Sequence, residues 1–313
     1  MSCNFGQSGS ASAASAAITF VEFTGFILFH LFIKKYRFDD TIEPHGSGTF
    51  GKVFLGIDLE SQKNVAVKKL YSRPTPQNAN ASLDAILREV QVAMSFDSPY
   101  LCKVFAFSID EAGFVYIVME QINGMDAFDF LQKNLLLGKT NPLLAKRILL
   151  DVARGLDTLH TAGFAHRDIK LDNVMLEFNE SGDFLRAVII DFGFTMRVCE
   201  IPRGSQQGSI SYSAPEIPQN KICSEKVDIW AFGVIIFGIL HRYYPIWSTN
   251  KDPRREAIEV FQKLQKLSES PELPIYTEGN KDVNDLRMIC ARCLQIDQNA
   301  RPSAEELLEM LSQ

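Results

Sequence analysis

The chain has 313 residues, of which 46% are hydrophobic, and its formal net charge is −6. This length allows one large domain or two lobes with cores of their own, and the acidic balance without a basic block argues against nucleic acid as the main partner. The 6 cysteines do not indicate a disulfide framework in a chain this long, which favours a reducing compartment.

The first 35 residues form a Ser/Ala-rich head followed by a hydrophobic segment, which we treat apart from the main domain at 36–313. Ala13 to Ile33 is long enough to cross a hydrocarbon core of about 30 Å. Phenylalanine recurs at every third position from Phe20 to Phe32, which leaves no polar face on a helix. Glu22 opposes a span, because a central charge costs about 2.5–3.5 kcal/mol. The segment predicts a membrane anchor with the domain on the cytoplasmic side; a helix docked on the domain and a non-native leader remain as alternatives.

A glycine-rich stretch opens the main domain. Val53 to Ile57 and Val65 to Lys68 are β-branched runs separated by polar residues, so they predict a hairpin. A dinucleotide-binding loop would instead join a strand to a helix. A glycine loop between strands can fold over phosphates, although the same residues taken alone also fit a simple turn. The stretch contains Gly46, Ser47, Gly48, Thr49, Phe50, Gly51 and Val53.

Two charged residues stand out in the next part of the chain. Lys68 ends an apolar run, where a half-buried cation requires an anion. Glu89 lies in a predicted helix from Leu83 to Phe96, and taken alone it fits a solvated helix face. Val115 to Ile122 follows as a buried-strand pattern with polar residues at its end.

The second half of the chain is mostly helical. Asn141 followed by Pro142 predicts a helix start, with an N-cap and a proline at the first position. Asp228 to Leu240 is apolar almost all round and too short for a bilayer, which needs about 20 residues, so it predicts a buried core helix. Ser303 opens a capping box for the last helix.

The most informative stretch runs from His166 to Asn173 and is followed by Asp191-Phe192-Gly193. Magnesium bound to polyphosphate needs hard oxygen ligands, which Asn173 and Asp191 offer. Asp168 can accept the proton of an attacking hydroxyl, and Lys170 can neutralise a moving phosphoryl group.

Together these motifs resemble the eukaryotic protein kinase family, serine/threonine type, from about Tyr36 to the C-terminus. The run from Asp151 to His160 is somewhat similar to the tyrosine-kinase-like branch. The resemblance implies an α+β, two-lobed fold, with a small β-rich N-lobe (about 36–120) carrying one key helix and a larger, mainly helical C-lobe (about 123–313). It implies transfer of the ATP γ-phosphoryl group to Ser/Thr hydroxyls of protein substrates, with Mg²⁺, or Mn²⁺ in its place.

The resemblance also implies roles for single residues. Asp168 and Lys170 would be catalytic, Asn173 and Asp191 would hold the metal, and Lys68, held by Glu89, would bind the α- and β-phosphates. The nucleotide would also meet the glycine-rich stretch and five further residues, with Met119 as gatekeeper and the backbone of Glu120 and Ile122 on adenine. Asp126 fits a ribose contact and a helix cap equally well. These further residues are Ala66, Met119, Glu120, Ile122 and Asp126.

Control and structural support follow from the same resemblance. Arg167 would wait for a phosphate on the activation segment, with Ser205 as first candidate and Thr195 and Ser211 as weaker ones. Ser209 would make a structural contact to Asp168 and Lys170.

Three further residues are expected to support the fold. Asp228 would steady the catalytic loop, and Arg301 would pair with Glu216.

The alternative function is a pseudokinase-like ATP-binding scaffold. Such a scaffold usually shows a gap in the catalytic set, and none is visible here.

Overall fold

A computed structural model describes residues 32, 34–47, 51–71, 90–136, 141–205, 208–241, 253–271 and 281–313. The chain divides into two compact units. The first, called the small lobe, runs to Val90 and resumes at Val104–Gln121, and the second, the large lobe, comprises Gln91–Lys103 and Ile122–Gln313. The residues just before the fifth strand thus group with the large lobe.

The small lobe is built on one antiparallel sheet. Its strand order is β1-β3-β4-β6-β5, with β2 paired to β3. The predicted hairpin is confirmed, since Val53 lies opposite Lys68 across β3 and β4. The strands are β1 (Tyr36–Phe38), β2 (Gly46–Ser47), β3 (Gly51–Asp58), β4 (Asn64–Leu70), β5 (Val104–Ile109) and β6 (Val115–Glu120).

An aromatic cluster lies on one face of this sheet. Phe32, which precedes β1, is only 6% exposed and lies 5.4 Å from Tyr36 and 6.5 Å from Tyr116, measured between ring centroids. Val65, Val67 and Val118 on the central strands complete its buried part. The last phenylalanine of the N-terminal row is therefore part of the small-lobe core.

Within the described residues, no helix is both long enough and apolar enough to cross a membrane. The segment Ala13 to Ile33, for which a membrane anchor was predicted, lies outside the described residues except for Phe32.

The large lobe is mainly helical. Its two small sheets have the orders β10-β9-β7 and β11-β8. The strands are β7 (Gly124–Asp126), β8 (Phe164–Ala165), β9 (Val174–Phe178), β10 (Phe184–Ile189) and β11 (Met196–Arg197). The helices are α1 (Ala127–Leu136), α2 (Pro142–Thr161), α3 (Lys226–His241), α4 (Pro253–Lys266), α5 (Lys281–Cys293) and α6 (Ala304–Ser312).

Local sequence signals explain where these helices begin. The Asn141 side chain accepts from the backbone N–H of Leu143 at 3.0 Å, which caps α2 as predicted. Ser303 and Glu306 form the predicted capping box of α6. Helix α3 is buried almost all round, and its Trp230 is 1% exposed, which confirms the prediction of a core helix.

A buried ion pair joins distant parts of the large lobe. Arg301 donates to both carboxylate oxygens of Glu216, at 2.7 and 2.8 Å, and its guanidinium lies 5.1 Å from the Trp230 ring. Their side chains are 0% and 4% exposed. A bidentate pair of this kind fixes geometry as well as charge. The predicted pairing is confirmed, and it ties the end of the activation segment to the approach to α6.

Candidate active site

The backbone of the catalytic loop is held by one buried carboxylate from α3. Asp228 accepts from the backbone N–H groups of His166 and Arg167, both at 2.8 Å, and lies 2.9 Å from His160 Nε2. Burial favours the neutral acid, but the contact with His160 and these N–H donors outweigh it and hold the pKa of Asp228 below its ordinary value. The carboxylate is therefore ionised, and the expected support of the loop is confirmed.

Two residues of the site have strained backbones, and the hydrogen bond to Asp228 holds the first of them, Arg167. Arg167 has φ +70° and Asp191 has φ +64°, in the left-handed region that non-glycine residues rarely adopt. Each such residue costs on the order of 1–3 kcal/mol, and such residues cluster at functional sites.

Asp168 lies at the centre of a hydrogen-bond network. Its Oδ2 is 3.0 Å from Lys170 Nζ and accepts from Asn173 Nδ2 at 2.8 Å, while its Oδ1 accepts from the Ser209 backbone N–H at 3.1 Å. Lys170 also donates to Ser209 Oγ at 3.2 Å. The expected contact of Ser209 with both residues is confirmed. The network fixes the direction of the Asp168 carboxylate, which still has lone pairs to accept a substrate proton.

The histidine at the start of the catalytic loop, His166, is neutral. His166 is buried, and burial lowers its pKa although Asp228, Asp168 and Asp191 oppose the shift. Its Nδ1 accepts from the Asp168 backbone N–H at 3.3 Å, so the proton resides on Nε2. The ring packs 5.7 Å from Phe192. It therefore links the catalytic loop to the Asp191-Phe192-Gly193 turn by packing and not by charge.

Asn173 and Asp191 are the residues predicted to hold a metal. Both hydrogen bonds of the Asn173 NH₂ group go to Asp168, at 2.8 Å to its backbone oxygen and 2.8 Å to its carboxylate, which leaves the amide carbonyl as the ligand atom. The Asn173 backbone oxygen accepts from the Ile190 N–H at 2.9 Å, next to Asp191.

These two residues fit Mg²⁺, which takes one or two protein oxygen ligands and completes its shell with water and substrate phosphates. Among the described residues there is no cluster of three or more His, Cys, Asp or Glu that could hold a metal by itself.

The large lobe brings Arg167 to the activation segment. Its guanidinium donates to Ser205 Oγ at 2.7 Å and to the Phe194 backbone oxygen at 3.4 Å. The pKa of Arg167 is lowered by burial. Thr195 Oγ1 is buried and finds no hydrogen-bond partner in the described part of the chain. Of Ser205 and Thr195, only Ser205 contacts the Arg167 guanidinium through its hydroxyl.

Four residues predicted to contact nucleotide share one face of the small-lobe sheet. Val53 lies opposite Lys68 across β3 and β4, and Ala66 lies opposite Met119 across β4 and β6. Ala66 and Lys68 are two positions apart on β4 and point to the same side. The structure also includes Gly46, Ser47 and Gly51 of the glycine-rich stretch, whereas Gly48, Thr49, Phe50 and Glu89 lie outside the described residues.

The end of β6 and the start of the large lobe carry the remaining predicted contacts. Glu120 ends β6 opposite Val65, and Ile122 is half-buried. Asp126 Oδ1 accepts from the Asp129 N–H at 2.8 Å, so it caps α1. Burial raises the pKa of Asp126, with smaller effects from Asp129 and Asp172. The ribose role of Asp126 stays a prediction.

Two features of the site were not predicted from the sequence. His160 contacts the carboxylate of Asp228, and its only signal was its place at the end of α2, just before the catalytic loop. Gly208 has φ +71°, and a Cβ built there would lie 2.6 Å from Asp168 Oδ1. A glycine next to Ser209 is therefore required for the close approach to the carboxylate.

Comparison with known proteins places the chain in a family. The sequence model described as "Protein kinase domain" matches residues 40–311. The chain belongs to the protein kinase family, and its β-rich small lobe and helical large lobe are the α+β fold that the resemblance implied.

Several curated proteins are similar to this chain. The probable serine/threonine-protein kinase 2 of Plasmodium falciparum is 31% identical over 70% of this chain and 39% of its own length. The MAP kinase kinase kinase mkh1 of Schizosaccharomyces pombe is 28% identical over 84% of this chain and 23% of its own length. The serine/threonine-protein kinase CST20 of Candida albicans is 30% identical over 84% of this chain and 20% of its own length. The chain thus spans well under half the length of these relatives.

The position of Gly208 gives a prediction. In Gly208→Ala the new methyl group would displace Asp168, and a displacement of about 1 Å costs about 100-fold in rate. We expect phosphate transfer to a generic Ser/Thr protein substrate to fall by about that factor. The matched control is Gly182→Ala, since Gly182 also has a positive φ, +84°, but a Cβ added there would meet no atom within 4 Å. Equal loss of rate in both variants would mean that backbone strain, and not contact with Asp168, is responsible.

Proposed function

We propose that this chain is an ATP-dependent protein serine/threonine kinase that transfers the γ-phosphoryl group to Ser/Thr hydroxyls of protein substrates. One observation carries the proposal: the Asp168 carboxylate is fixed by Lys170, Asn173 and Ser209 within one loop system. The named relatives support it, because they are described as serine/threonine-protein kinases or MAP kinase kinase kinases.

In the proposed reaction the substrate hydroxyl oxygen forms a bond to the γ-phosphorus while the bond from that phosphorus to the β,γ-bridging oxygen breaks. Asp168 orients the hydroxyl and accepts its proton. Lys170, 3.0 Å from Asp168, supplies positive charge next to the transferred group. Mg²⁺, when bound through Asn173 and Asp191, would neutralise charge on the phosphates. ADP then leaves with the electron pair of the broken bond.

We propose that the small lobe binds ATP on one face of its sheet. This face carries Val53, Ala66, Lys68 and Met119. Lys68 would hold the α- and β-phosphates, and the glycine-rich stretch would cover them. The backbone of Glu120 and Ile122 would pair with adenine. Asp126 would contact the ribose while one of its carboxylate oxygens caps α1.

The class of acceptor is proposed from the contact between Lys170 and Ser209. These residues stand at the positions where serine/threonine kinases carry them, and their side chains meet at 3.2 Å. A pseudokinase-like scaffold usually shows a gap in the catalytic set. No gap is visible in this sequence, which contains Lys68, Glu89, Asp168, Asn173 and Asp191. Because ATP and Mg²⁺ are needed, we place the enzyme in the cytosol.

Control is proposed through Ser205. Its hydroxyl accepts from Arg167 at 2.7 Å. Ser205 follows a turn in which its N–H donates to the Pro202 oxygen, and Gly204 of that turn packs against Asn220. A phosphate on Ser205 would convert a neutral contact into a charge-assisted one and would hold the segment more firmly.

The catalytic assignment predicts the behaviour of two isosteric variants. Asp168→Asn should lower kcat by about 10²–10⁴-fold, because it loses proton acceptance and positioning. Asp191→Asn should lose Mg²⁺-dependent nucleotide binding as well as transfer. Asp183→Asn, on an exposed hairpin turn, is the control and should behave as wild type. Steady-state transfer from radiolabelled ATP measures all three, and near-normal turnover in either site variant would contradict the assignment.

The proposed control predicts that mass spectrometry of active enzyme finds phosphate on Ser205. Ser205→Ala should lower activity, and this effect should vanish in an Arg167→Ala background, because both changes remove one contact. If the segment is unmodified in active enzyme, the serine hydroxyl alone suffices. If Ser205→Ala keeps full activity, the contact with Arg167 has no role in control.

A further inference from the structure

A second charged network lies on the aromatic face of the small-lobe sheet. Lys69 follows Lys68 on β4 and points to the opposite side, where it lies directly across from Tyr116. Its ammonium is 4.8 Å from the Phe114 ring centroid and 5.1 Å from that of Tyr116. A cation between aromatic rings is attracted by their π-faces, but it still requires an anion when most of its side chain is covered.

Asp40 supplies that anion from outside the central strands. Its Oδ2 lies 2.5 Å from Lys69 Nζ and accepts from Tyr116 Oη at 3.0 Å. The side chains of Lys69 and Asp40 are only 25% and 27% exposed, so water screens the pair weakly. The hydrogen bond from Lys69 is the main cause that lowers the pKa of Asp40, which keeps the carboxylate charged.

The place of Asp40 in the chain gives this contact a consequence. Asp40 comes two residues after β1 ends at Phe38 and six before β2 begins at Gly46. The connection that leads into the glycine-rich stretch is thus fixed to β4 and β6 through one carboxylate. The adjoining Asp39 accepts from the backbone N–H and hydroxyl of Thr41, at 2.9 and 2.6 Å, which stiffens the chain beyond Asp40.

The ring of Tyr116 holds the same connection from its other end. Phe38, the last residue of β1, lies 5.5 Å from Tyr116 between ring centroids. Tyr116 is 3% exposed, and burial, followed by the neighbouring carboxylates, raises its pKa, so the phenol stays protonated and donates. Its hydroxyl also lies 3.1 Å from Asp110 Oδ2, on the turn between β5 and β6. Tyr116 therefore faces two carboxylates, of which only Asp40 belongs to the entrance of the glycine-rich stretch.

We propose that Asp40 is a positioning residue that fixes the start of the glycine-rich stretch to the central strands through Lys69 and Tyr116, and so sets the affinity for ATP. The proposal rests on the proposed function, since it takes that stretch as the cover of the nucleotide phosphates. Holding a binding segment in its bound conformation raises affinity, because less ordering remains to be done when the ligand arrives.

The test uses Asp40→Asn in the full chain, with Asp110→Asn as matched control. Both remove one negative charge next to the Tyr116 hydroxyl, but only Asp40 lies on the connection to the glycine-rich stretch. We expect Asp40→Asn to raise KM for ATP about three- to tenfold with kcat within about twofold, the pattern of lost binding without lost chemistry. Amide hydrogen exchange in residues 41–47, measured without nucleotide, should become faster. Asp110→Asn should leave KM and this exchange unchanged.

Several results would overturn the proposal. One is an unchanged KM in folded Asp40→Asn, with or without faster exchange, since the network would then serve stability alone. Another is an equal rise of KM in Asp110→Asn, which would indicate a general effect of charge. If Asp40→Asn does not fold, Tyr116→Phe keeps the ring and removes the hydroxyl, and it should raise KM in the same direction by a smaller factor. An unchanged KM there overturns the proposal.

Failure of the proposed function can be distinguished in the same experiment. If the wild-type chain transfers no phosphate, the kinase assignment fails. The dissociation constant of a fluorescent ATP analogue, measured on the same proteins, then takes the place of KM. A weaker complex in Asp40→Asn alone still supports the positioning role of Asp40, and equal affinities in all variants overturn it.

Discussion

The site depends first on the carboxylate of Asp228. It is 1% exposed on the buried helix α3, and it accepts the backbone N–H groups of His166 and Arg167. A buried carboxylate is costly unless hydrogen-bonded donors and nearby positive charge compensate for lost water, and here the catalytic loop itself provides those donors. The unfavourable φ of Arg167 is thereby maintained. The geometry of the catalytic loop therefore depends on the core of the large lobe, since the helix that fills the core also fixes the loop.

From that fixed backbone the side chains of the loop are set against each other. Asp168 receives the amide of Asn173 and the ammonium of Lys170, and Ser209 closes the network from the activation segment. Groups ordered in advance cost no reorganisation when charge moves, which is the basis of electrostatic catalysis. The close approach of Gly208 to Asp168 shows how little space this arrangement leaves.

The sequence predicts those parts of the structure whose residues lie close together in a motif. The loop from His166 to Asn173 and the capped helices α2 and α6 are of this kind, because a few neighbouring residues decide the local hydrogen bonds. The partner of Lys69 could not be predicted, since Asp40 is 29 positions away and the tyrosine that shares it is 76 positions from Asp40. Neither Asp40 nor Tyr116 carries a motif. The register of β4 and β6 pairs Lys69 with Tyr116, and Asp40 reaches both from the connection after β1. Likewise, the sequence marks Ser205 as a candidate partner of Arg167 through a phosphate, but it does not predict the direct contact between the serine hydroxyl and the guanidinium.

The central claim is that this arrangement transfers phosphate from ATP to serine and threonine. The most direct measurement incubates the full chain with γ-labelled ATP, Mg²⁺ and a generic protein substrate, followed by analysis of the phosphorylated amino acids. We expect label on phosphoserine and phosphothreonine that depends on Mg²⁺. Label confined to phosphotyrosine would contradict the assigned class, and tight ATP binding with no label on any amino acid would contradict the enzyme itself.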